Sequence, residues 1–330
     1  MNVRMWGRAL AGMPRLTKEE WDDLDIVARW LVASRAAVLV MTVVSAAFGG
    51  LLAAKAGMFA WQPFVLCTLG LCLAHATNNL VNDLTDYWKG VDEDNYFRTQ
   101  YGPQTVQAGL LSVRQLVLWA VLTGAAAAAI GVWLLLQGGS GVAWLLAAGA
   151  FFVLFYTWPL KYIGLGEPAV LAVWGPLMVG GTYYVVTGSW STDVAWASIA
   201  YALGPTAVLF GKHIDKLDLD EEKGIHTLPV LLGERNSRWT VLLMLVVQLL
   251  LTAGLVASGY FGWPMLLALL AAPSLRRVWQ IYRHPRPSDP PPELPSGIWP
   301  LYFVAVTFWY NRRFGLLFVA GLLGDLLLRG

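Results

Sequence analysis

The feature that most constrains this chain is the recurrence of long apolar stretches. A membrane-spanning helix needs about 20 predominantly apolar residues, and the chain, 57% hydrophobic and only 13% charged, lies outside the usage of soluble domains. The sequence therefore predicts an all-α, polytopic membrane protein. About nine transmembrane helices are expected, at 31–54, 60–82, 113–136, 142–160, 166–187, 194–211, 239–258, 263–282 and 313–329.

The placement of the 23 Lys and Arg residues predicts the orientation of these helices. Only Lys55 and Arg329 fall on one side of the predicted spans, and the other basic residues lie in the N-terminal segment or flank alternate loops. Because basic loops stay in the cytoplasm, we expect a cytoplasmic N-terminus and cytoplasmic polar loops in a cell (inner) membrane. Chemistry is expected on that face.

The chain organisation follows from the same pattern. We expect a cytoplasmic segment at 1–27, in which Thr17 and Glu20 have the form of a capping box, and a single transmembrane domain at 28–330. Its proline-rich stretch 284–297 is expected to be a cytoplasmic linker. Because Arg312 and Arg313 divide the final stretch, 298–311 is expected to begin at or near the membrane interface, with the last span after the two arginines.

Acidic and amide side chains cluster at the end of the second predicted span. On a helix Asn79, Asp83 and Asp86 are spaced i, i+4 and i+7, and Asn82 precedes Asp86 by four, so these side chains share one face. His75 lies one turn earlier, either as a base or acceptor contact or as a packing histidine. A solvated helix end is the alternative interpretation of the whole cluster.

A second cluster follows the sixth predicted span. Asp215, Asp218 and Glu222 form an i, i+3, i+7 stripe on a continuous helix, whereas Asp220 points elsewhere unless the helix breaks. Lys212 and Lys216 would neutralise additional phosphate charge. Taken alone, this segment is equally consistent with a charged cytoplasmic loop.

Together the two clusters predict a diphosphate held by Mg²⁺. Mg²⁺ is usually bound by a few carboxylates while substrate phosphates complete its coordination, and metals with Lys or Arg stabilise the charge that develops on a diphosphate leaving group. The expected reaction is prenyl transfer from an isoprenyl diphosphate. The lipid bilayer is an expected partner, and no nucleic-acid partner is expected.

Several motifs resemble the UbiA-type intramembrane prenyltransferase superfamily, and within it the 1,4-dihydroxy-2-naphthoate polyprenyltransferase branch of quinone (menaquinone) biosynthesis. The resemblance covers most of the chain. Its motifs are Asn82-Asp83-x-x-Asp86 with Lys89-Gly90-Val91-Asp92, the loop from Gly102 to Leu110, the segment from Tyr156 to Glu167, Gly175-Pro176, Gly181 to Tyr184, Arg35 fourteen residues before Gly49, and Gly224 to Leu228.

This resemblance implies a bundle of nine helices around a central cavity, Mg²⁺ as cofactor and an aromatic, naphthoate-like acceptor. Catalytic candidates are Asp83, Asp86 and Asp215. Metal-ligand candidates are Asn82, Asp83, Asp86, Asp92, Asp215, Asp218 and Asp220. Diphosphate-binding candidates are Arg35, Lys89, Arg98, Lys212 and Lys216, and acceptor or cavity candidates are Asn79, His75 and Tyr156.

The chain departs from the family pattern at its second acidic motif. Lys216 stands four residues before Asp220, where the family has an acid, and Lys212-His213 and Ile225-His226 replace its usual polar pairs. These departures leave the acceptor open, so a chlorin, a homogentisate-like phenol or a glycerol ether are alternatives. A cation-coupled transporter and a catalytically silent membrane partner are alternatives of other classes.

Overall fold

The computed structural model describes residues 2–91, 104–292 and 298–329, and within these ranges the chain is almost entirely helical. An isolated bridge between Ile163 and His226 is the single β contact among the described residues. The predicted all-α class is confirmed. Asp92, Arg98 and part of the predicted linker, 293–297, lie outside the described residues. The chain forms two compact units: residues 1–47 with 60–158 (unit 1), and 48–59 with 159–330 (unit 2).

Unit 1 begins with three short helices, α1 (Val3–Ala11), α2 (Lys18–Asp22) and α3 (Ile26–Ala33). The predicted capping box is confirmed at the start of α2, where the Thr17 and Glu20 side chains each accept a hydrogen bond from the other's backbone N–H.

Asp25 joins the first and third of these helices. Its carboxylate caps α3 by accepting a hydrogen bond from the Ala28 N–H, and it also accepts hydrogen bonds from the Asn2 backbone and the Trp6 indole. The backbone N–H groups of Asn2 and Ala28 stabilise the ionised form and lower the pKa of Asp25 to about 2. This carboxylate therefore stabilises the N-terminal arm as long as it is ionised.

The chain changes direction at Arg35, which has a left-handed backbone with φ of 54°. A left-handed residue with a side chain is sterically unfavourable by about 1–2 kcal/mol, and it interrupts the helix predicted from residue 31. A 3₁₀ turn (Ala36–Val38) and α4 (Leu39–Lys55) follow. The first candidate span accordingly begins at Ala36, later than predicted.

The remaining helices of unit 1 are α5 (Trp61–Trp88), α6 (Val113–Gly138) and α7 (Ser140–Phe155). Helix α5 continues six residues beyond the predicted boundary at 82, so the first acidic cluster lies on regular helix. The C-terminal third of α5 and the start of α6 contribute to a buried apolar cluster with α1 and α3. Its members include Met5, Ala9, Val32, Leu80, Leu84, Leu116 and Ala120.

Among its described residues, unit 2 contains nine further helical segments of six or more residues. They are α8 (Gly166–Ala172), a π-helical segment (Val173–Gly180), α9 (Gly181–Thr187), α10 (Thr192–Asp215), α11 (Leu217–Glu222), α12 (Leu228–Ala257), a 3₁₀ segment (Trp263–Ala271), α13 (Ala272–Tyr282) and α14 (Phe303–Arg329). Helix α10 is largely buried and packs against α12 and α14. The ring of Phe48 packs there against Tyr201 and Phe318, with centroids 5.6 and 5.1 Å apart.

Six segments among the described residues are long and apolar enough to cross a membrane. They are Ala36–Lys55, Trp61–Trp88, Val113–Gly138, Gly166–Thr187, Thr192–Asp215 and Leu228–Ala257. The three other predicted spans, 142–160, 263–282 and 313–329, are also largely helical. The helix in the first of them, Ser140–Phe155, is apolar but shorter than the six candidates. Large apolar side chains such as Leu136 and Trp144 are more than 70% exposed, as expected of surfaces that contact lipid. The chain is an integral, multi-pass membrane protein.

The last predicted span is part of a longer helix. Helix α14 runs without interruption from Phe303 to Arg329, so Arg312 and Arg313 do not break it. The start of the last span after these arginines stays a prediction. Both arginines are exposed, so the helix accommodates them on its outer face without burying their charge.

Candidate functional site

The first candidate site is the acid–amide face of α5, formed by Asn78, Asn79, Asn82, Asp83 and Asp86. Asp83 is 3% exposed and Asp86 is fully buried. A charged side chain in an apolar interior is costly unless it is paired or binds a cation. This face is therefore built for charge compensation, and a solvated helix end does not describe it.

The three amides of this face are fixed by long-range hydrogen bonds. Asn78 donates to the carbonyl of Val153 at 3.0 Å, and Asn79 donates to the carbonyl of Ser34 at 2.8 Å. Asn82 donates to the Thr157 hydroxyl at 3.0 Å. Each amide donates through its nitrogen, which fixes the orientation of the neighbouring oxygen. The oxygen atoms of the face are thus held in set directions before any ligand binds.

Arg35 forms an ion pair with Asp83. The side chains are 12% and 4% exposed, respectively, so the pair is screened little by solvent. The left-handed backbone of Arg35 follows Ser34, whose carbonyl accepts the Asn79 hydrogen bond. Backbone strain of this kind persists where surrounding contacts hold it, and it clusters at functional sites.

The other predicted residues of unit 1 lie around this face. His75 shares a hydrogen bond of 2.8 Å with the Thr42 hydroxyl, which favours the helix-packing interpretation. Tyr156 directly follows α7 and is half-buried. Lys89 directly follows α5, is exposed, and places its Nζ 5.2 Å from the Trp158 ring centroid.

The second candidate site is the acidic junction, residues 212–222. Its geometry differs from the predicted stripe, because α10 ends at Asp215 and the helix breaks at Lys216, with φ of −123°. The break changes the helical phase. Asp218 and Glu222 are exposed and Asp220 is buried, so Asp215, Asp218 and Glu222 do not form the continuous stripe expected of an unbroken helix.

The Asp215 carboxylate is hydrogen-bonded to the start of α14. Its two carboxylate oxygens accept hydrogen bonds from the backbone N–H groups of Phe303 (2.9 Å) and Val304 (3.0 Å). These are N–H groups that the first turn of a helix leaves without an intrahelical partner. The guanidinium of Arg286 lies 3.8 Å from one of the oxygens. Asp215 therefore anchors two later segments of the chain.

Asp220 has one engaged oxygen and one available oxygen. It pairs with Lys216 through Oδ1, while its buried Oδ2 has no hydrogen-bond partner among the described residues. A buried carboxylate oxygen without a partner is unfavourable unless a cation or water satisfies it. Lys212 is half-buried on the preceding turn.

His213 and Glu167 form a buried pair that the sequence did not reveal. The His213 Nδ1 lies 2.5 Å from the Glu167 carboxylate, and the second carboxylate oxygen accepts a hydrogen bond from the Leu228 N–H at 3.3 Å. The pair thus connects α8, α10 and the start of α12. The sequence signal for this pair was Glu167, an acid at the start of an apolar segment. A charge in that position ordinarily needs a compensating partner.

Three further residues were missed. Thr157 and the carbonyl of Ser34 fix the α5 amides, and Arg286 approaches Asp215. Thr157 and Ser34 are small polar residues at helix ends, and Arg286 lies in the proline-rich stretch. Their sequence positions carry no signal for these contacts, because each contact depends on tertiary packing.

The donor set suits a hard divalent cation that arrives with a phosphate ligand. Within the described ranges, no group of three or more His, Cys, Asp and Glu side chains is arranged to hold a metal by itself. On α5, Asp83 and Asp86 supply two carboxylates within one turn. Mg²⁺ is usually held through one or two carboxylates and substrate phosphates, so the residues present fit that ion.

Comparison with known proteins agrees with this chemistry. The model of the UbiA prenyltransferase family matches residues 42–311. A 1,4-dihydroxy-2-naphthoate octaprenyltransferase of Haemophilus influenzae is 29% identical over 236 residues, covering 68% of this chain and 75% of that protein. The protein of the same name in Escherichia coli is 29% identical over 262 residues, covering 74% and 82%.

More distant similarities extend to animal proteins and to solved structures. UbiA prenyltransferase domain-containing protein 1 of Danio rerio is 28% identical, and the match spans 63% of this chain and 62% of that protein. A UbiA homolog from Aeropyrum pernix K1 has a TM-score of 0.64 at 18% identity, covering 86% of this chain and 97% of that one. A UbiA homolog from Archaeoglobus fulgidus bound to GPP and Mg²⁺ has a TM-score of 0.59 at 14% identity, covering 88% and 99%.

Proposed function

The chain belongs to the UbiA prenyltransferase family, and from this premise we propose that it transfers a prenyl group from an isoprenyl diphosphate to an aromatic quinone precursor in a Mg²⁺-dependent reaction. The chain is a prenyltransferase, so the transporter and silent-partner alternatives are not retained. The proposal concerns the metal, the donor, the acceptor and the residues that act on them.

The observation that carries the proposal is the buried acid–amide face of α5. Asp83 and Asp86 lie within one turn, next to oriented amide oxygens and beside a basic side chain, Arg35. A diphosphate with its cation brings both signs of charge, so it can satisfy carboxylates and a guanidinium in the same place. Mg²⁺, when bound, would neutralise charge on the diphosphate leaving group.

The basic residues are assigned to the diphosphate itself. Arg35 is held by its backbone and by Asp83, and it can donate in bidentate fashion to phosphate oxygens. Lys89, Lys212 and Lys216 are the other proposed contacts, and Arg98 remains a candidate from the sequence. As the carbon–oxygen bond of the allylic diphosphate breaks, charge grows on the departing oxygens, and these cations stabilise it.

The proposed metal ligands differ in the support that geometry gives them. Asp83, Asp86 and the oxygen of Asn82 are favoured on α5. In the acidic junction, the free Oδ2 favours Asp220, whereas Asp218 is exposed and Asp215 is engaged by α14. Asp92 remains a candidate from the sequence alone.

The acceptor proposal rests on the relatives. Two of them are named 1,4-dihydroxy-2-naphthoate octaprenyltransferases, which supports a naphthoate-like acceptor here. The acceptor ring would attack the allylic carbon, and loss of the ring proton would restore aromaticity. Asn79, His75 and Tyr156 are the proposed acceptor or cavity residues. The basic loops support an active site on the cytoplasmic side of the cell membrane.

The test is an assay of the purified full-length chain with labelled geranylgeranyl or longer isoprenyl diphosphate. The acceptor panel contains 1,4-dihydroxy-2-naphthoate, a homogentisate-like phenol, a chlorin and a glycerol ether. We expect prenylated naphthoate and released diphosphate in the presence of Mg²⁺, and neither after addition of EDTA.

Two outcomes would contradict parts of the proposal. Product formation that persists in EDTA would remove the metal requirement. Diphosphate release with an acceptor other than naphthoate would keep the donor chemistry and replace the acceptor assignment. The metal-free sample is restored with Mg²⁺ as a control, which separates loss of metal from loss of folded protein.

A further inference from the structure

Four arginines on two neighbouring helices of unit 2 play no part in the proposed chemistry. Arg276 and Arg277 lie on α13, and Arg312 and Arg313 lie on α14. All four are exposed. Helices α13 and α14 pack against each other, and these four arginines are here called the arginine patch.

Two of the four guanidinium groups are already oriented. Arg313 donates a hydrogen bond of 2.8 Å to the Ser274 hydroxyl on α13. Arg277 lies over the Trp309 ring on α14, with its guanidinium carbon 5.7 Å from the ring centroid. These contacts reach across the helix pair in both directions, so they fix the patch as a surface shared by the two helices.

Within the described part of the chain, the arginine patch has no carboxylate partner. Throughout residues 2–91, 104–292 and 298–329, no carboxylate forms an ion pair with any of the four arginines. Their surroundings are apolar and aromatic instead, since Trp279, Phe308, Trp309 and Leu316 are each more than 40% exposed. Positive charges grouped beside exposed apolar side chains favour binding of an anion that also has an apolar part.

The position of the patch along the helices matches the level of lipid headgroups. Helices α13 and α14 run antiparallel, since Ser274 contacts Arg313 and Pro264 lies against Gly324 at the other end. The 3₁₀ segment from Trp263 and the following helix reach Arg276 after about 25 Å, and α14 from Arg313 to its end also spans about 25 Å. The hydrocarbon core is about 30 Å thick, so all four arginines fall at one membrane boundary.

Apolar side chains continue from the patch toward the other boundary. Leu316, Leu323 and Leu327 are 66%, 44% and 82% exposed along α14, and Leu266 and Leu270 are 43% and 55% exposed on the 3₁₀ segment. A phospholipid matches this arrangement, because its phosphate is joined to acyl chains of comparable length. A free phosphate would use the arginines and leave the apolar surface without a role.

We propose that the arginine patch binds the headgroup of an anionic phospholipid whose acyl chains lie along α14 and the 3₁₀ segment. Guanidinium groups bind phosphate oxygens through paired hydrogen bonds, and the preformed contacts of Arg277 and Arg313 reduce the ordering that binding requires. The site is independent of the acid–amide face and of the metal.

The test is native mass spectrometry of the full-length protein in detergent, titrated with dioleoylphosphatidylglycerol or dioleoylphosphatidylcholine. We expect the first to bind at least about tenfold more tightly, because each basic residue near a membrane surface contributes roughly fivefold to anionic-lipid binding. In the variant Arg276→Gln/Arg277→Gln/Arg312→Gln/Arg313→Gln the two lipids should bind alike. The control Arg4→Gln/Arg8→Gln removes two exposed arginines of α1 and should keep the wild-type preference.

The Lys variant Arg276→Lys/Arg277→Lys/Arg312→Lys/Arg313→Lys keeps the charge, and it should retain a reduced preference. If the Gln variant does not elute as a single species, the two Gln double variants of α13 and α14 are measured instead. Each should bind the anionic lipid about 25-fold more weakly, the product of two fivefold contributions. Equal binding of both lipids by the wild type would overturn the proposal. So would competition by glycerol 3-phosphate at equal concentration, or a change of oligomeric mass in the Gln variants with unchanged lipid binding.

Discussion

The acid–amide face of α5 and the acidic junction look alike in sequence and differ in construction. On α5, carboxylates and amides occupy regular positions of one unbroken helix, and later or earlier parts of unit 1 hold the amides from outside. At the junction the helix breaks at Lys216, and the acids separate into different tasks. Asp215 anchors α14, Asp220 pairs with Lys216, and Asp218 is exposed.

Two acidic clusters with similar sequences can therefore have different roles. A carboxylate that supports a helix start or balances a lysine has a structural use, and only its remaining lone pairs can ligate a cation. The α5 face keeps two buried carboxylates within one turn beside a single guanidinium, whereas the junction distributes its acids among several partners. We therefore expect substitutions on α5 to affect chemistry more than stability, and those of Asp215 and Asp220 at the junction to affect both.

The largest effect is expected from Asp86→Ala. Removing a buried carboxylate of the proposed metal site should lower prenyl transfer by about 10³-fold, in the range seen when electrostatic groups of an active site are removed. Steady-state assay at saturating Mg²⁺ measures it. Asp218→Ala removes an exposed acid of the junction and should change the rate by less than about threefold. Equal losses in the two variants would erase the distinction between the regions.

Arg35→Gln comes next. The variant removes the charge that faces Asp83 and should weaken use of the isoprenyl diphosphate by about 10²-fold in kcat/KM, because charge-assisted contacts to phosphate contribute strongly. The loss should be smaller in Lys89→Gln, since Lys89 is exposed. A variant of Arg35 that keeps its kcat/KM would show that the left-handed arginine serves the fold alone.

Glu167→Ala tests the structural side of the junction. It leaves the buried His213 ring and the Leu228 N–H without their acceptor, which should cost about 2 kcal/mol or more. A fall in melting temperature of roughly 5 °C is expected in detergent. Glu221→Ala, which removes an exposed acid of the acidic junction, should leave the melting temperature unchanged.

Asp215→Asn separates anchoring from metal binding. Asparagine keeps one acceptor oxygen for the first turn of α14, so the expected destabilisation is about 1 kcal/mol, read as a small fall in melting temperature. The isosteric Asp86→Asn should leave the melting temperature equal to that of the wild type within experimental error, and it should lower activity more than Asp215→Asn does. The reverse order of activities would move the principal metal ligand from α5 to the junction.

Asp25 gives the smallest effect and a reference for a capping carboxylate. Its folded-state pKa is lowered to about 2, so its stabilisation is complete above the unfolded pKa near 3.8 and disappears as pH falls toward 2. Pepsin cleavage between α1 and α3 should therefore accelerate between pH 4 and pH 2 in the wild type. Asp25→Asn should lose this acceleration, whereas the exposed control Asp23→Asn keeps the capping carboxylate and should accelerate as the wild type does.

Much of the fold could be predicted because membrane helices are specified locally. The apolar segments, the capping box at Thr17 and the helical register of Asp83 and Asp86 depend on residues within a few turns of one another. The position of the basic residues supports an orientation for the same reason. These features required no knowledge of which helices are neighbours.

The remaining features depend on tertiary packing. The ion pair of Arg35, the pairing of His213 with Glu167 and the contact of Arg277 with Trp309 each join residues far apart in the chain. A local helical preference of a few tenths of a kcal/mol per residue is outweighed by the cost of a buried charge without a partner. The sequence specifies which charged residues lie within or beside the apolar helices. Packing then decides which of these residues are bound by other parts of the protein and which can bind a ligand.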